Sequence, residues 1–210
     1  MKAGWITAGV AAAALIPGLA ACGGSSSGSG SSPSAHPSKA ASAPSGTLTP
    51  PGTKLAVGES ATVGWVLNSF SEKAKNGSKL QVTLVSIDKG SIADVNKVFS
   101  LSAGEKRDTA YYARFRIKAL EDVPAKLTKG SNPAVNIFAV AEKGLDPEYI
   151  QFGAGVFKAC DSTAPPSSFT SGSSYDTCLT YLMPEGTALH KLRWSGGTPY
   201  DTNPVVWSGN

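Results

Sequence analysis

Hydrophobic and polar positions divide the 210 residues into three regimes. Residues 3–15 are apolar apart from Thr7, and residues 23–50 hold a single large apolar residue, Leu48. From residue 51 onward, apolar and polar positions alternate in short runs. The clearest alternation spans residues 108–120. Tyr111, Ala113, Phe115, Ile117 and Ala119 fall on one face, and Tyr112, Arg114, Arg116 and Lys118 on the other. A period of two with this contrast predicts an antiparallel strand with one face in a core and one in water. Residues 61–67 and 79–87 read the same way, the latter setting Leu80, Val82 and Leu84 against Gln81 and Thr83. Further strands are expected over 134–140, 149–157, 177–183 and 188–195. Turn signals lie between the runs at residues 57–60, at Asn76-Gly77, at Asp88-Lys89-Gly90 and at Pro184-Glu185-Gly186. Residues 91–99 fit a helical turn or a loop equally well. Seven or eight strands without interleaved helices predict an all-β, antiparallel β-sandwich.

The apolar N-terminus follows a positive start, Met1-Lys2, and ends at Pro17-Gly18 before Leu19-Ala20-Ala21-Cys22. A charged start, an apolar middle and small residues at a cut site make a secretory signal peptide. A spanning helix is disfavoured, because Gly4, Gly9, Pro17 and Gly18 interrupt the run and no basic stop-transfer cluster follows. Ordinary secretion, with cleavage after Ala20 or Ala21, would leave Cys22 free. Against it stands the leucine three residues before a cysteine, with two small residues between. That arrangement resembles the bacterial lipobox, whose cysteine carries a diacylglyceryl group. The reading is a signal peptide over 1–21 and a lipid on Cys22, with the membrane as partner and the outer face of the cell membrane as location. Each buried methylene contributes about 0.8 kcal/mol and one chain anchors only reversibly, so the two or three chains of a bacterial lipoprotein make release negligible.

After Cys22, residues 23–50 are Gly, Ser, Ala and Pro with little else: one charge, Lys39, one histidine, His36, and Thr47-Leu48-Thr49. Such a composition buries too little surface to offset chain entropy, so a disordered tether is expected. A Gly/Ser coil of this length reaches about 30 Å, and its Pro-containing half extends further. Ser and Thr beside Pro also permit O-glycosylation.

Residues 51–210 are the size of one domain. They hold all fifteen acids and seventeen of the nineteen bases, Lys2 and Lys39 being the other two, for a net charge of +2. A near-neutral domain without a basic, aromatic-interleaved patch, at an extracytoplasmic address, excludes nucleic acid as a partner. Of three cysteines, Cys22 is taken by lipid, which leaves Cys160 and Cys178. Outside the cytoplasm the default reading is a disulfide, closing a Ser/Pro/Thr-rich loop with a stabilisation of about 3 kcal/mol. A metal site is the sharper alternative, but it would need more ligands than two cysteines, and His190 is the single histidine of the domain.

Val57-Gly58-Glu59, the strand at 111–120 and the ending Leu182-Met183-Pro184-Glu185-Gly186 with Leu192-Arg193-Trp194 resemble the immunoglobulin-like domain of unknown function in bacterial secreted lipoproteins, a family related to the mycobacterial immunoprotective extracellular protein. In that family a Val-Gly-acid motif opens the first strand, an alternating Tyr-led strand carries the core, and a final hairpin follows a Pro-x-Gly turn. The chain departs from it at Leu120-Glu121-Asp122-Val123-Pro124, where an Asn-x-(Gly/Ser) turn is usual, and at the Cys160–Cys178 loop. The resemblance implies an antiparallel immunoglobulin-like β-sandwich over about residues 56–194. It brings no catalytic residues with it.

Candidate chemistry is sparse. A Ser/His/Asp site needs a positioned base, and His190 shares a strand face with Leu192 and Trp194, which predicts a partly buried structural histidine. Nucleophile elbows, P-loops, dinucleotide fingerprints, EF-hands and zinc-protease motifs are absent from the sequence. Glu121-Asp122 and Asp146/Glu148 flank prolines and read as solvated turn charges; residues 144–148 offer calcium too few donors. Arg114, Arg116 and Lys118 form a basic row that reads as a wet face, with phosphate contact as its functional alternative. Tyr200 to Trp207 is either packed on the sandwich or exposed. No cofactor and no catalysis are expected. The favoured reading is a lipid-anchored module presenting its domain to a surface protein. The alternative is a binder of a cell-wall glycan or small molecule, with Trp65, Trp194 and Trp207 as the stock for an aromatic pocket.

Overall fold

The computed structural model describes residues 46–65, 78–129, 131–140, 147–197 and 200–209. Cys22, the expected signal peptide, nearly all of the expected tether, the Asn76-Gly77 turn, residues 66–67 and Asp146 lie outside them. In chain order the described strands are β1 (Lys54–Ala56), β2 (Ser60–Trp65), β3 (Ser78–Lys89), β4 (Thr109–Ala119), β5 (Ile137–Ala139), β6 (Glu148–Ile150), β7 (Ser174–Met183), β8 (Lys191–Trp194) and β9 (Val205–Ser208). Two short helices, α1 (Ile92–Val98) and α2 (Ala125–Thr128), lie in the connections. The strands form a five-stranded sheet, β2-β3-β4-β7-β6, and a four-stranded sheet, β1-β9-β8-β5. The fold is a β-sandwich.

One core fills the space between the sheets. Val63, Trp65, Leu80, Val82, Leu84, Phe115, Ile117, Leu179 and Tyr181 come from the larger sheet. Ile137, Leu192, Trp194, Val205 and Trp207 come from the smaller. The alternation of β4 delivers Ala113, Phe115, Ile117 and Ala119 to this core, as its period of two requires. Burying a tyrosine here leaves a hydroxyl to satisfy, and each is satisfied by an acceptor well away in the chain. Tyr181 donates across the sandwich to the Ile137 carbonyl at 3.0 Å, Tyr175 to Asn132 at 3.1 Å and Tyr200 to the Thr49 carbonyl at 2.7 Å. Thr49 itself meets β2, where its Oγ1 accepts from the Thr62 amide at 2.8 Å. Burial pushes the phenols of Tyr175 and Tyr181 upward, so both stay protonated donors.

Several expectations are corrected, and some open alternatives are decided. The sandwich is not wholly antiparallel: β1 runs parallel to β9, pairing Leu55 with Trp207. Neither β1 nor β9 is among the expected strands, because runs of three and four residues carry too little periodicity to show. The tail is packed, with Tyr200, Val205 and Trp207 all buried. Within residues 91–99 lies the helix α1 (Ile92–Val98), whose first turn is capped by Ser91 Oγ accepting from the Asp94 amide. Residues 134–136, expected as strand, belong to a 3-10 turn over Pro133–Asn136 that is started by Pro133 and capped by Asn132, so β5 begins only at Ile137. Strand structure over 149–157 stops at Ile150. Pro184-Glu185-Gly186, which fits a hairpin or a short connection, is the latter: with Gly186 at φ 79° it turns the chain from β7 to β8 in the other sheet. His190 precedes β8 and is exposed, not partly buried, while its neighbour Leu189 is buried.

Val57-Gly58-Glu59 carries the chain from one sheet to the other. The Val57 amide donates to Ser208 in the smaller sheet, and the very next amide, Gly58, donates to Leu84 in the larger, at 2.7 Å. Successive amides serve opposite sheets because Gly58 sits at φ 91°, a region that strains residues with a Cβ. Glu59 closes the corner, its carboxylate accepting from the Ala56 amide and its carbonyl from the Trp207 indole at 3.0 Å. A Cβ at position 58 would meet nothing within 4 Å, so the cost of Gly58→Ala is backbone strain alone. That substitution should lower the unfolding free energy by about 1–2 kcal/mol, read as a shifted urea midpoint at unchanged m-value.

Candidate functional site on the outer face of the larger sheet

The face of β4 turned from the core is not uniformly wet. Ala110 and Tyr112 are buried there with Cys178 and Leu182 of β7, under Val95, Leu101, Phe152, Phe157 and Cys160. Tyr112, expected on the polar face, is thus a core residue of a second apolar cluster. Its hydroxyl accepts from the Ser91 amide at 3.1 Å. Its ring lies so close to Gly90 that a Cβ there would sit 2.4 Å from the ring. Rings stack over the cluster: Phe157 meets Phe152 at 4.8 Å and Tyr112 at 5.6 Å between centroids. Sequence reasoning missed this layer because its residues fall in α1 and in the irregular segment 151–163, where no period marks a buried face.

A disulfide joins Cys160 to Cys178, with Cα atoms 5.1 Å apart and both side chains buried. It fixes the 3-10 turn at Lys158–Cys160 onto β7. Three hydrogen bonds moor the same segment. Arg114 Nη2 donates to the Ala159 carbonyl at 2.7 Å, Ser162 Oγ to the Cys178 carbonyl at 2.8 Å, and the Gly155 amide to Asp161 Oδ1 at 2.7 Å.

Beside the disulfide opens a cleft of about 270 Å³, lined by Val85, Arg114, Arg116, Lys158, Asp161 and Asp176 among others. The register places Arg116 opposite Asp176, and the two form a bidentate pair at 2.8 and 3.1 Å. Those hydrogen bonds hold the Asp176 carboxyl below its usual range and raise the Arg116 guanidinium. The expected basic row is therefore partly committed, with Arg116 paired, Arg114 moored to a carbonyl and Lys118 left exposed. Val85 sits where the β3–β4 register shifts, and it is exposed although apolar. A second cleft of about 520 Å³ has no charged lining residue and includes Thr128, Asn132, Gln151, Phe152 and Ser162. The amide of Asn132 is spent within the fold, accepting from Ala134 and Tyr175 and donating to Thr163. Val98, Phe99 and Val156 are exposed near Phe152, against which Phe99 stacks edge-on at 6.4 Å.

Other expected positions are dispersed. Trp65, Trp194 and Trp207 are buried in the sandwich core, so none of them is available to an aromatic pocket. Glu121 accepts from the Lys79 amide and Asp122 from the Ser171 amide, so these acids cap backbone in addition to facing solvent. Among the described residues, no group of three or more His, Cys, Asp or Glu is placed to hold a metal.

No family model and no curated protein matches this chain. Among solved structures the chain is similar to MPT63, described as a secreted protein from Mycobacterium tuberculosis determined at 1.5 Å resolution. The TM-score is 0.45 at 10% identity, covering 74% of this chain and 95% of that one.

Replacing both Cys160 and Cys178 by Ala should cost about 3 kcal/mol in urea unfolding, the loop-closure value for eighteen residues of separation. Reductant should leave that double variant unaffected. The Arg116–Asp176 pair predicts an acid effect. Because the folded Asp176 pKa is depressed, its stabilisation is complete above the unfolded carboxylate value near 4 and is lost as pH falls through the lower folded value. Asp176→Asn should therefore flatten part of the drop in urea midpoint on acidification below about pH 4.

Proposed function

We propose that this chain is a lipid-anchored lipoprotein of the extracytoplasmic membrane face, a non-catalytic module that presents its β-sandwich to a protein partner. The observation carrying the address is how the cysteines are used. Cys160 and Cys178 close a buried disulfide, as befits an oxidising compartment, and the one remaining cysteine is Cys22, within Leu19-Ala20-Ala21-Cys22. The domain boundaries read from composition, 1–21, 22–50 and 51–210, belong to the same proposal. So does the lipoprotein family whose motifs the chain resembles. Docking is assigned to the outer face of the larger sheet. There Val98, Phe99 and Val156 offer apolar surface over a layer braced by the disulfide, which limits the ordering cost of binding.

Two measurements test the proposal. Mass spectrometry of the N-terminal peptide should find acyl mass on Cys22, and Cys22→Ser should shift the protein from the membrane to the soluble fraction. Photo-crosslinking from position 99 on intact cells should trap one discrete protein, and Val156→Asp should abolish the adduct. An unmodified Cys22 would sink the anchor. Adducts to wall polymer alone would sink the protein partner.

A further inference from the structure

The cleft beside the disulfide is lined by more cations than acids. Three of its lining residues are cationic, Arg114, Arg116 and Lys158, and two are acidic, Asp161 and Asp176. Arg116 and Asp176 satisfy each other. Asp161 Oδ1 accepts from the Gly155 amide. Arg114 is fixed at 2.7 Å to a neutral carbonyl, that of Ala159. Its carboxylate neighbour Asp88 lies 3.6 Å away, with the same Oδ2 accepting from Ser86 Oγ at 2.8 Å. Lys158 makes no ion pair among the described residues. Yet the bond from Arg114 goes to the residue directly after Lys158, in a turn the disulfide locks. Arg114, with a monodentate carboxylate partner, and Lys158, with no ion pair among the described residues, thus line one cleft and leave donors for an anion.

A second irregularity adjoins the first. At the bulge between Leu84 and Ser86, Val85 has no partner on β4 and stands 46% exposed in the cleft lining. Bulges re-aim side chains beside functional sites. Here an apolar surface is set next to the cation pair.

From these two features we propose that the cleft binds a small monocarboxylate bearing an apolar substituent, its carboxylate between Arg114 and Lys158 and its apolar part on Val85. A monoanion fits a cleft whose cations are nearly balanced, whereas Asp88, Asp161 and Asp176 together repel a dianion such as phosphate. The volume of about 270 Å³ admits a small acid or the last residue of a peptide. The site stands independently of the lipid anchor and of the protein partner.

The test is ligand-observed saturation-transfer NMR on the full-length protein in detergent, with N-acetylalanine as the carboxylate probe and N-acetylalaninamide as its uncharged counterpart. Saturable binding of the acid at or below about 10 mM is expected, with the amide at least about tenfold weaker. Lys158→Gln, a change at an exposed side chain, should weaken the acid about tenfold. Arg114→Gln should do the same, counted only if its near-ultraviolet circular dichroism matches wild type. Acetyl-Ala-Ala-Ala with a free carboxylate distinguishes the source. Tighter binding than N-acetylalanine points to a peptide end, and equal or weaker binding to a free acid, each consistent with the site. Equal binding of acid and amide, no saturable binding, indifference to Lys158→Gln, or stronger competition by inorganic phosphate than by N-acetylalanine would each overturn the proposal.

Discussion

The structure depends on burying the central pair β4 and β7 twice. Odd-numbered residues of both strands fill the space between the sheets, while Ala110, Tyr112, Cys178 and Leu182 face the other way and are apolar as well. A two-sheet sandwich supplies cover on one side only. The second side is covered by α1 and by the segment around Phe152 and Phe157, which has little regular structure of its own. Irregular backbone is a poor roof, because each residue ordered costs roughly 1–2 kcal/mol of chain entropy. The disulfide and the bonds from Arg114 and Ser162 offset that cost where secondary structure does not. The cleft is a by-product of the same arrangement, since it lies where the roof ends and the polar half of the sheet begins.

How much could be read from the residues follows from how long each pattern runs. β4 was legible because residues 113–119 alternate without a break, and β3 because Leu80, Val82 and Leu84 do so beside a turn signal. The disulfide was legible from counting and compartment. β1 and β9 were not, since each is short and their partnership links residues about 150 positions apart. Pro133 and Asn132 overrode the strand preference of the residues after them. His190 was assigned to a strand that begins one residue later, so its expected face did not exist.

Of the candidate site, the cationic positions were visible as a row, but their partners were not. Whether Arg116 is free or paired depends on register with Asp176, sixty residues away. The three tryptophans show the converse. Aromatic residues in a sequence are equally suited to a pocket or a core, and here all three went to the core, one with its indole N–H on the Glu59 carbonyl at the sheet-switching corner.

The parallel pairing of β1 with β9 also sets the order in which the molecule can assemble. Lys54 pairs with Val206 and Ser60 with Thr83, so the first two strands belong to contacts of very different span. The larger sheet needs nothing beyond Met183, whereas the smaller cannot close until β9 exists. Loop-closure entropy and high contact order make that closing step slow. A chain made from its N-terminus therefore has β1 and the face of Trp65 uncovered at first, and reaches its final form only after Trp207 has emerged. Delayed closure makes the last strand the latch of the whole domain.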